Sequence, residues 1–319
     1  MKNLTIVYPM PLHDIVDLRN CVDYPTMQAH YIHRYAHKKS ISVGTPYNWL
    51  YKSSSNKFKE LFDLLNDQGI NLNDVKNLLI TGVNSLKYFT KVELKRIQDS
   101  IKGNLYQIDD SNFNQNPYSF TFSHYTKQSR ASDRSIEISL AIASDLFRPG
   151  QNFDNGEFVV HVDHRWTKTE RLECFQDIRE KLFLLQELIE SSQRWKRLKI
   201  IYHTEEINDI QRIGTYDPRS VSIIDLANIY SCCHLAFLSH AETLGQYPLE
   251  MLSAGASILM HRKMIPKETR DLYTFDTYDK FDYEEYLNTV DKTTIDLNRQ
   301  SILKYDYSLW VEKMIARIR

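Results

Sequence analysis

Glycine is scarce in this chain, nine in 319 residues, and none precedes Gly44. The first apolar run, Leu4-Thr-Ile-Val-Tyr8, therefore leaves through Tyr8-Pro9-Met10-Pro11-Leu12-His13-Asp14 without a glycine. Prolines also remove amide donors, so that turn is poorly suited to cradling a phosphate on backbone N–H groups. Cysteine is scarce too. Cys21, Cys174, Cys232 and Cys233 show no metal-site spacing, and the adjacent pair in an apolar run reads as reduced core packing, which implies a reducing compartment such as the cytoplasm. An excess of either charge is missing: Lys plus Arg number 40 against 41 Asp plus Glu. No global field draws the chain to nucleic acid, and any binding must be local. Long apolar stretches are missing as well. No window approaches the roughly 20 residues that span a bilayer, and the N-terminal run is too short for a signal peptide. Neither internal repeats nor low-complexity tracts occur.

What is there is an alternation of apolar runs and helical patterns, the mark of parallel sheets with helices on both faces. A first series of strands is predicted at 4–8, 40–43, 78–80, 105–108, 120–123 and 136–139, with helices at 57–65 and 86–101 among them. A second series is predicted at 158–161, 198–202, 234–237 and 257–260, with a long amphipathic helix from about Thr169 to Ser192. The chain is long enough for two domains of ordinary size. The seam falls where Ser144-Asp-Leu-Phe-Arg-Pro-Gly150-Gln-Asn152 supplies turn chemistry. The expectation is an α/β protein of two Rossmann-like, doubly wound domains, 1–152 and 153–302. Residues 303–319 form a C-terminal helix that either returns to the first domain or caps the second.

The densest chemistry lies in Ser239-His-Ala-Glu242-Thr243-Leu244-Gly245-Gln-Tyr-Pro-Leu-Glu250-Met-Leu-Ser-Ala-Gly255. An apolar strand ends at Ser239, a helix runs from Gln246 to Ala254, and Gly255 stops it. A helix N-terminus thus points out of the carboxyl end of a sheet, where unpaired amides and the helix dipole favour an anion such as a phosphate. Glu250, one turn in, suits vicinal hydroxyls, as an acidic residue does for ribose in dinucleotide folds; Glu242 faces whatever lies beyond the phosphates. The competing reading is an exposed helix with two solvated carboxylates.

This stretch resembles the Glu-x7-Glu signature of retaining glycosyltransferases of family 4, which have the GT-B fold: two such domains around a cleft. Ser239, Glu242, Gly245, Glu250 and Gly255 match the pattern, while Met251 and Ser253 stand where the family has alanines. Asp145, Phe147 and Pro149 are similar to the tail that closes the first domain in that family. The resemblance implies transfer of a sugar from a UDP- or GDP-sugar to a hydroxyl of a glycan or glycolipid, with retention and without a metal or other cofactor. Glu250 would hold the ribose, Glu242 the sugar hydroxyls, and the amides of Thr243, Leu244 and Gly245 the diphosphate.

A second constellation, His161-Val-Asp163-His164-Arg165-Trp-Thr-Lys168-Thr-Glu-Arg171, sets cations between a strand end and a helix start. Cations there oppose the helix dipole, which favours an anionic guest over solvated basic residues. A leaving diphosphate needs such charge. In the family an Arg and a Lys occupy these places, matched by Arg165 and by Arg171, with Lys168 the alternative. His161, Asp163 and His164 invite a metal reading, but residues of a parallel strand are usually core packing. Asp109-Asp110 is adjacent rather than spaced and chelates poorly.

Further site candidates follow from the resemblance. Asp110 would orient the acceptor hydroxyl or bind sugar hydroxyls, with a turn carboxylate as the ordinary reading. His124 follows the next strand. His13 and Asp14, after the first strand, would line the acceptor pocket, and backbone near Gly214 would meet the base. Tyr31, His33, Arg34, Tyr35, Lys38 and Lys39 offer a peripheral membrane contact, against the simpler reading of a solvated helix face. Two alternatives stay open: a GT-B sugar-nucleotide epimerase or phosphorylase, and a degenerate, non-catalytic nucleotide-sugar-binding subunit.

Overall fold

The computed structural model describes residues 3–318 apart from 21–23, 48, 51, 53–55, 84, 110–116, 124–133, 151–154, 164–171, 203–213, 216–220, 239–245 and 262–274; at positions bordering these stretches, such as Asp163 and Gly214, it describes the backbone alone. The chain divides into two compact units, Met1–Leu140 with Tyr307–Arg319, and Ala141–Asp306.

The first unit begins with β1 (Leu4–Tyr8), α1 (Leu12–Val16), α2 (Tyr24–Ala36), β2 (Ile41–Gly44) and α3 (Lys57–Asp67). It continues through β3 (Asn77–Val83), α4 (Lys91–Ser100), β4 (Leu105–Asp109), β5 (Ser119–Ser123) and β6 (Ser135–Glu137). The strands form one parallel sheet in the order β2-β1-β3-β4-β5-β6. All five residues of β1 are buried, which is why a continuous apolar run rather than an alternating one marks this strand. Local chemistry sets the helix starts. Asn56 accepts from the Lys59 amide ahead of α3, and Thr90 with Glu93 forms a reciprocal capping box on α4.

The second unit contains β7 (Glu157–Asp163), α5 (Leu172–Glu190), β8 (Arg197–Tyr202), β9 (Gly214–Thr215), α6 (Ile223–Tyr230) and β10 (Leu235–Leu238). After these come α7 (Gln246–Ser253), β11 (Ser257–Met260), β12 (Asp276–Thr277), α8 (Tyr283–Thr289) and α9 (Lys292–Ile302). Its parallel sheet runs β12-β11-β10-β7-β8-β9. Ile178, Leu182, Leu185 and Ile189 form the buried stripe of α5, and they join Phe158, Val160 and Val162 of β7 in one apolar core. Strands expected from apolar runs recur within a few residues of their places. β6 is shorter than the run at 136–139 suggests, and the two-residue β12 carries no periodic signal at all.

Residues 141–150 belong to the second unit and are held there by polar contacts. The Ile142 amide donates to the Tyr305 carbonyl at 2.9 Å. Arg299 donates to the carbonyls of Phe147 and Ser253, both at 2.9 Å, and of Ser144 at 2.7 Å. The chain then returns to the first unit as α10 (Tyr307–Arg317). There the Tyr307 ring stacks on Tyr31 of α2 at 4.7 Å, and Trp310 Nε1 donates to the Ser139 carbonyl at 2.6 Å. Among the described residues no helix is long and apolar enough to cross a membrane.

Candidate functional site

In the second sheet the strand order reverses at one place. From β7 the chain steps to β8 and β9 on one side, then crosses to β10 on the other, so β7 and β10 are hydrogen-bonded neighbours at the switch point. Crevices outside the carboxyl ends of strands at such a point are where open α/β sheets take ligands. The register sets Leu238 opposite Asp163, so the strand ends that precede 164–171 and 239–245 in sequence are neighbours. Arg165, Lys168 and Arg171 belong to the first segment, and Glu242, Thr243, Leu244 and Gly245 to the second; all lie outside the described residues. The two constellations, distant in sequence, are anchored on adjacent strand ends.

Glu250 is described. It sits in the second turn of α7, whose residues from Tyr247 to Ser253 are all buried, and its own exposure is 0 %. An ordinary solvated carboxylate is thereby excluded, because enclosing a carboxylate is costly unless it meets polar partners. Pro248 is tolerated in the first turn, where amides lack intrahelical acceptors. The helix ends as the sequence predicts. Ala256 N–H bonds to the Met251 carbonyl at 2.9 Å and Gly255 N–H to the Leu252 carbonyl at 3.0 Å, a Schellman arrangement with Gly255 at φ +98°. One turn before Glu250, the Tyr247 hydroxyl lies 2.5 Å from Nδ1 of His161, a fully buried residue of β7. His161 thus joins α7 to the central strand, with Tyr230 set edge-on against it at 5.2 Å. Among the described residues no group of three or more His, Cys, Asp or Glu is arranged to hold a metal.

In the first unit His13 and Asp14 lie on α1, directly after the glycine-free turn. The Asp14 carboxylate accepts from the Tyr47 hydroxyl, and His13 Nε2 stands 3.4 Å from it, with the His13 side chain 79 % exposed. The glycine missing from the turn stands opposite, on β2. A Cβ on Gly44 would lie 2.7 Å from the Leu12 nitrogen, and the next amide, Thr45, donates to the Met10 carbonyl at 3.0 Å. Close approach of the two backbones needs a bare α-carbon on only one of them. Asp110 and His124 lie outside the described residues; the strands they follow pair with Asp109 opposite Ser123. Gly214 is described by its backbone, which pairs with Ile201 at the edge of the second sheet.

No model of a known protein family matches the sequence, and no curated protein matches it. Solved structures do resemble the fold. A glycosyltransferase from Rickettsia africae aligns over 99 % of this chain and 98 % of its own, with a TM-score of 0.56 and 11 % identity. HepE of Anabaena, in complex with UDP and glucose, aligns over 99 % and 98 % with a TM-score of 0.55 and 10 % identity. A UDP-N-acetylglucosamine 2-epimerase aligns over 99 % and 95 %, with a TM-score of 0.52 and 8 % identity. The chain has the GT-B fold. At these identities the likeness is one of architecture, and GT-B proteins include both transferases and epimerases.

Two polar contacts at the same end of the second GT-B sheet went unseen in the sequence. His261 directly follows β11, is 4 % exposed, and its Nε2 lies 2.8 Å from the carboxylate of Asp177 on α5. Tyr278 donates its hydroxyl to the carbonyl of Leu238, the last described residue before 239–245, and stands edge-on to the His261 ring at 5.7 Å. The first contact fixes the helix that follows 164–171, the second the strand that precedes 239–245. A titratable residue just past an apolar strand is a signal that points to His261. Nothing local marks Asp177 or Tyr278 as its neighbours.

Proposed function

We propose that this GT-B chain is a retaining glycosyltransferase of the family 4 kind, moving a sugar from a nucleotide diphosphate sugar to a hydroxyl of a glycan or glycolipid. The observation that carries the reading is the junction of β7 and β10. Segments rich in the needed groups leave from neighbouring strand ends at the switch point, and the enclosed Glu250 follows within the next helix. On this reading Arg165 and Arg171, with Lys168, neutralise the diphosphate, and the amides of Thr243, Leu244 and Gly245 bind its oxygens. Glu250 accepts from the ribose, backbone at Gly214 meets the base, and Glu242 holds the transferred sugar. The second unit is the donor domain and the first the acceptor domain, with His13, Asp14, Asp110 and His124 toward the acceptor. Charge stabilisation by Arg and Lys removes the need for a metal, and the leaving phosphate takes the acceptor's proton on the face from which it departs.

The test is a thermal-shift screen of nucleotides and nucleotide sugars, because a ligand bound only by the native state raises the melting temperature by mass action. A UDP- or GDP-sugar is expected to stabilise the wild type. Glu250→Ala is expected to weaken that ligand by about tenfold or more, the scale of one or two lost hydrogen bonds to a charged group. Equal affinity in the two proteins removes Glu250 from the site. Transfer in excess EDTA, with the product anomer read by NMR, checks metal independence and retention. The likeness to an epimerase favours one second reading, sugar-nucleotide epimerisation. Release of nucleotide or an epimerised sugar with no acceptor present would select it.

A further inference from the structure

Tyr47 is 57 % exposed, one of the large hydrophobic side chains left in solvent among the described residues. Its hydroxyl is nevertheless held, donating to the Asp14 carboxylate beside the exposed imidazole of His13. Val16, 60 % exposed, stands on the same short helix as Asp14. The backbone around the ring is fixed from both sides, since Tyr8 pairs with Gly44 across β1 and β2 and Thr45 bonds to Met10 beyond them. This corner lies at the carboxyl edge of the first sheet, where the parallel strands β1 and β2 end side by side.

An exposed aromatic face tethered at its hydroxyl, flanked by a carboxylate and an imidazole, has a particular complementarity. The ring offers a flat apolar surface with a negative face. The carboxylate accepts hydrogen bonds, and the imidazole donates or accepts. A phosphate or other anion would meet the Asp14 charge, and a purely apolar guest would leave that charge desolvated. A pyranose satisfies both demands, laying its C–H face on the ring while its hydroxyls reach the carboxylate. The hydrogen bond to Asp14 also raises the Tyr47 phenol above its ordinary pKa, so the ring stays neutral.

We propose that Tyr47, anchored by Asp14 and flanked by His13, is a saccharide-stacking platform on the first unit. Its assignment to the acceptor sugar rests on the transferase reading above; the saccharide site itself does not. The test uses the full chain and saturation-transfer NMR with methyl glycosides of glucose, galactose, mannose and N-acetylglucosamine, alongside the melting shifts given by a panel of UDP- and GDP-sugars. At least one glycoside is expected to bind the wild type with millimolar affinity, the range of a single sugar on one face. Tyr47→Ala should weaken it by about tenfold, and Tyr47→Phe, which keeps the ring but loses the anchor, by about threefold. Binding by no glycoside, or affinity in Tyr47→Ala within about twofold of wild type, overturns the platform. A wild type that shows Tyr47-dependent glycoside binding but no shift with any nucleotide sugar leaves the platform standing and sinks the donor reading instead.

Discussion

Gly255 ends the helix that carries Glu250, and replacing it with alanine should cost far more than a surface substitution. Two separate penalties arise. The residue sits at φ +98°, outside the range L side chains ordinarily adopt, which costs on the order of 1–2 kcal/mol. A Cβ there would also fall 2.4 Å from Ile295 Cγ2 and 3.3 Å from Pro149 Cγ. Carbon pairs prefer roughly 3.5–4.0 Å, so the Ile295 side chain or the helix that carries it must give way, and forcing an extra methyl into a packed core costs about 1–3 kcal/mol. The sum is about 2–5 kcal/mol. Gly69 isolates the first penalty, because it has φ +72° and nothing within 4 Å of a new Cβ; Gly69→Ala should lose only about 1–2 kcal/mol. Trimming the obstacle isolates the second: in an Ile295→Ala background, Gly255→Ala should cost about 1–3 kcal/mol less than in wild type, a coupling readable from a double-mutant cycle. Urea unfolding, with each variant read in the transition of its own unit, supplies the numbers. If Gly255→Ala costs no more than Gly69→Ala, and Ile295→Ala leaves that cost unchanged, the steric argument fails.

Other expectations are more local. Arg299→Met removes the donors to three carbonyls that join residues 144–147 to the end of α7, and should destabilise the second unit by about 2–4 kcal/mol by denaturant titration; a loss below about 0.5 kcal/mol would show the contacts to be incidental. Tyr247→Phe takes the hydroxyl from buried His161 and is expected to cost about 1–3 kcal/mol, with an unchanged melting temperature counting against the pairing. Cys232 is half-buried, and its thiol is brought down to about 7, first by the hydrogen bond with Cys233 and also by nearby Lys199, against the opposing effect of burial. Only the thiolate alkylates. Iodoacetamide labelling of Cys232 in the native protein, mapped by peptide mass spectrometry, should therefore be slow below this value and reach half its maximal rate near pH 7. The midpoint should rise in Cys233→Ala. A wild-type midpoint of about 8.5, the value of an ordinary thiol, would contradict the assignment.

The sequence located most strands because central parallel strands are apolar along their whole length. β1 and β11 announce themselves in this way. β12, two residues long, has no pattern to announce, and the run at 136–139 overstates β6, which ends at Glu137; two residues on, the Ser139 carbonyl accepts from Trp310 instead of a strand. The stop at Gly255 was legible for a local reason, as one residue's φ decides it. Glu250 was legible as a helical carboxylate, but its enclosure was not, since burial depends on what the other elements place around it.

By itself, then, the chain order of residues determined the alternation of strands and helices, the carboxylate pair flanking a helix start and the cation-rich strand end, all of which depend on neighbours within a few turns. The tertiary structure alone decided that β7 and β10 lie side by side with Asp163 opposite Leu238, that Gly44 makes room for a turn on another strand, that His261 meets Asp177, and that Tyr47 is pinned by Asp14. Strand order and side-chain encounters between distant segments are selected by the packing of a whole sheet and its covering helices, and no local pattern encodes them.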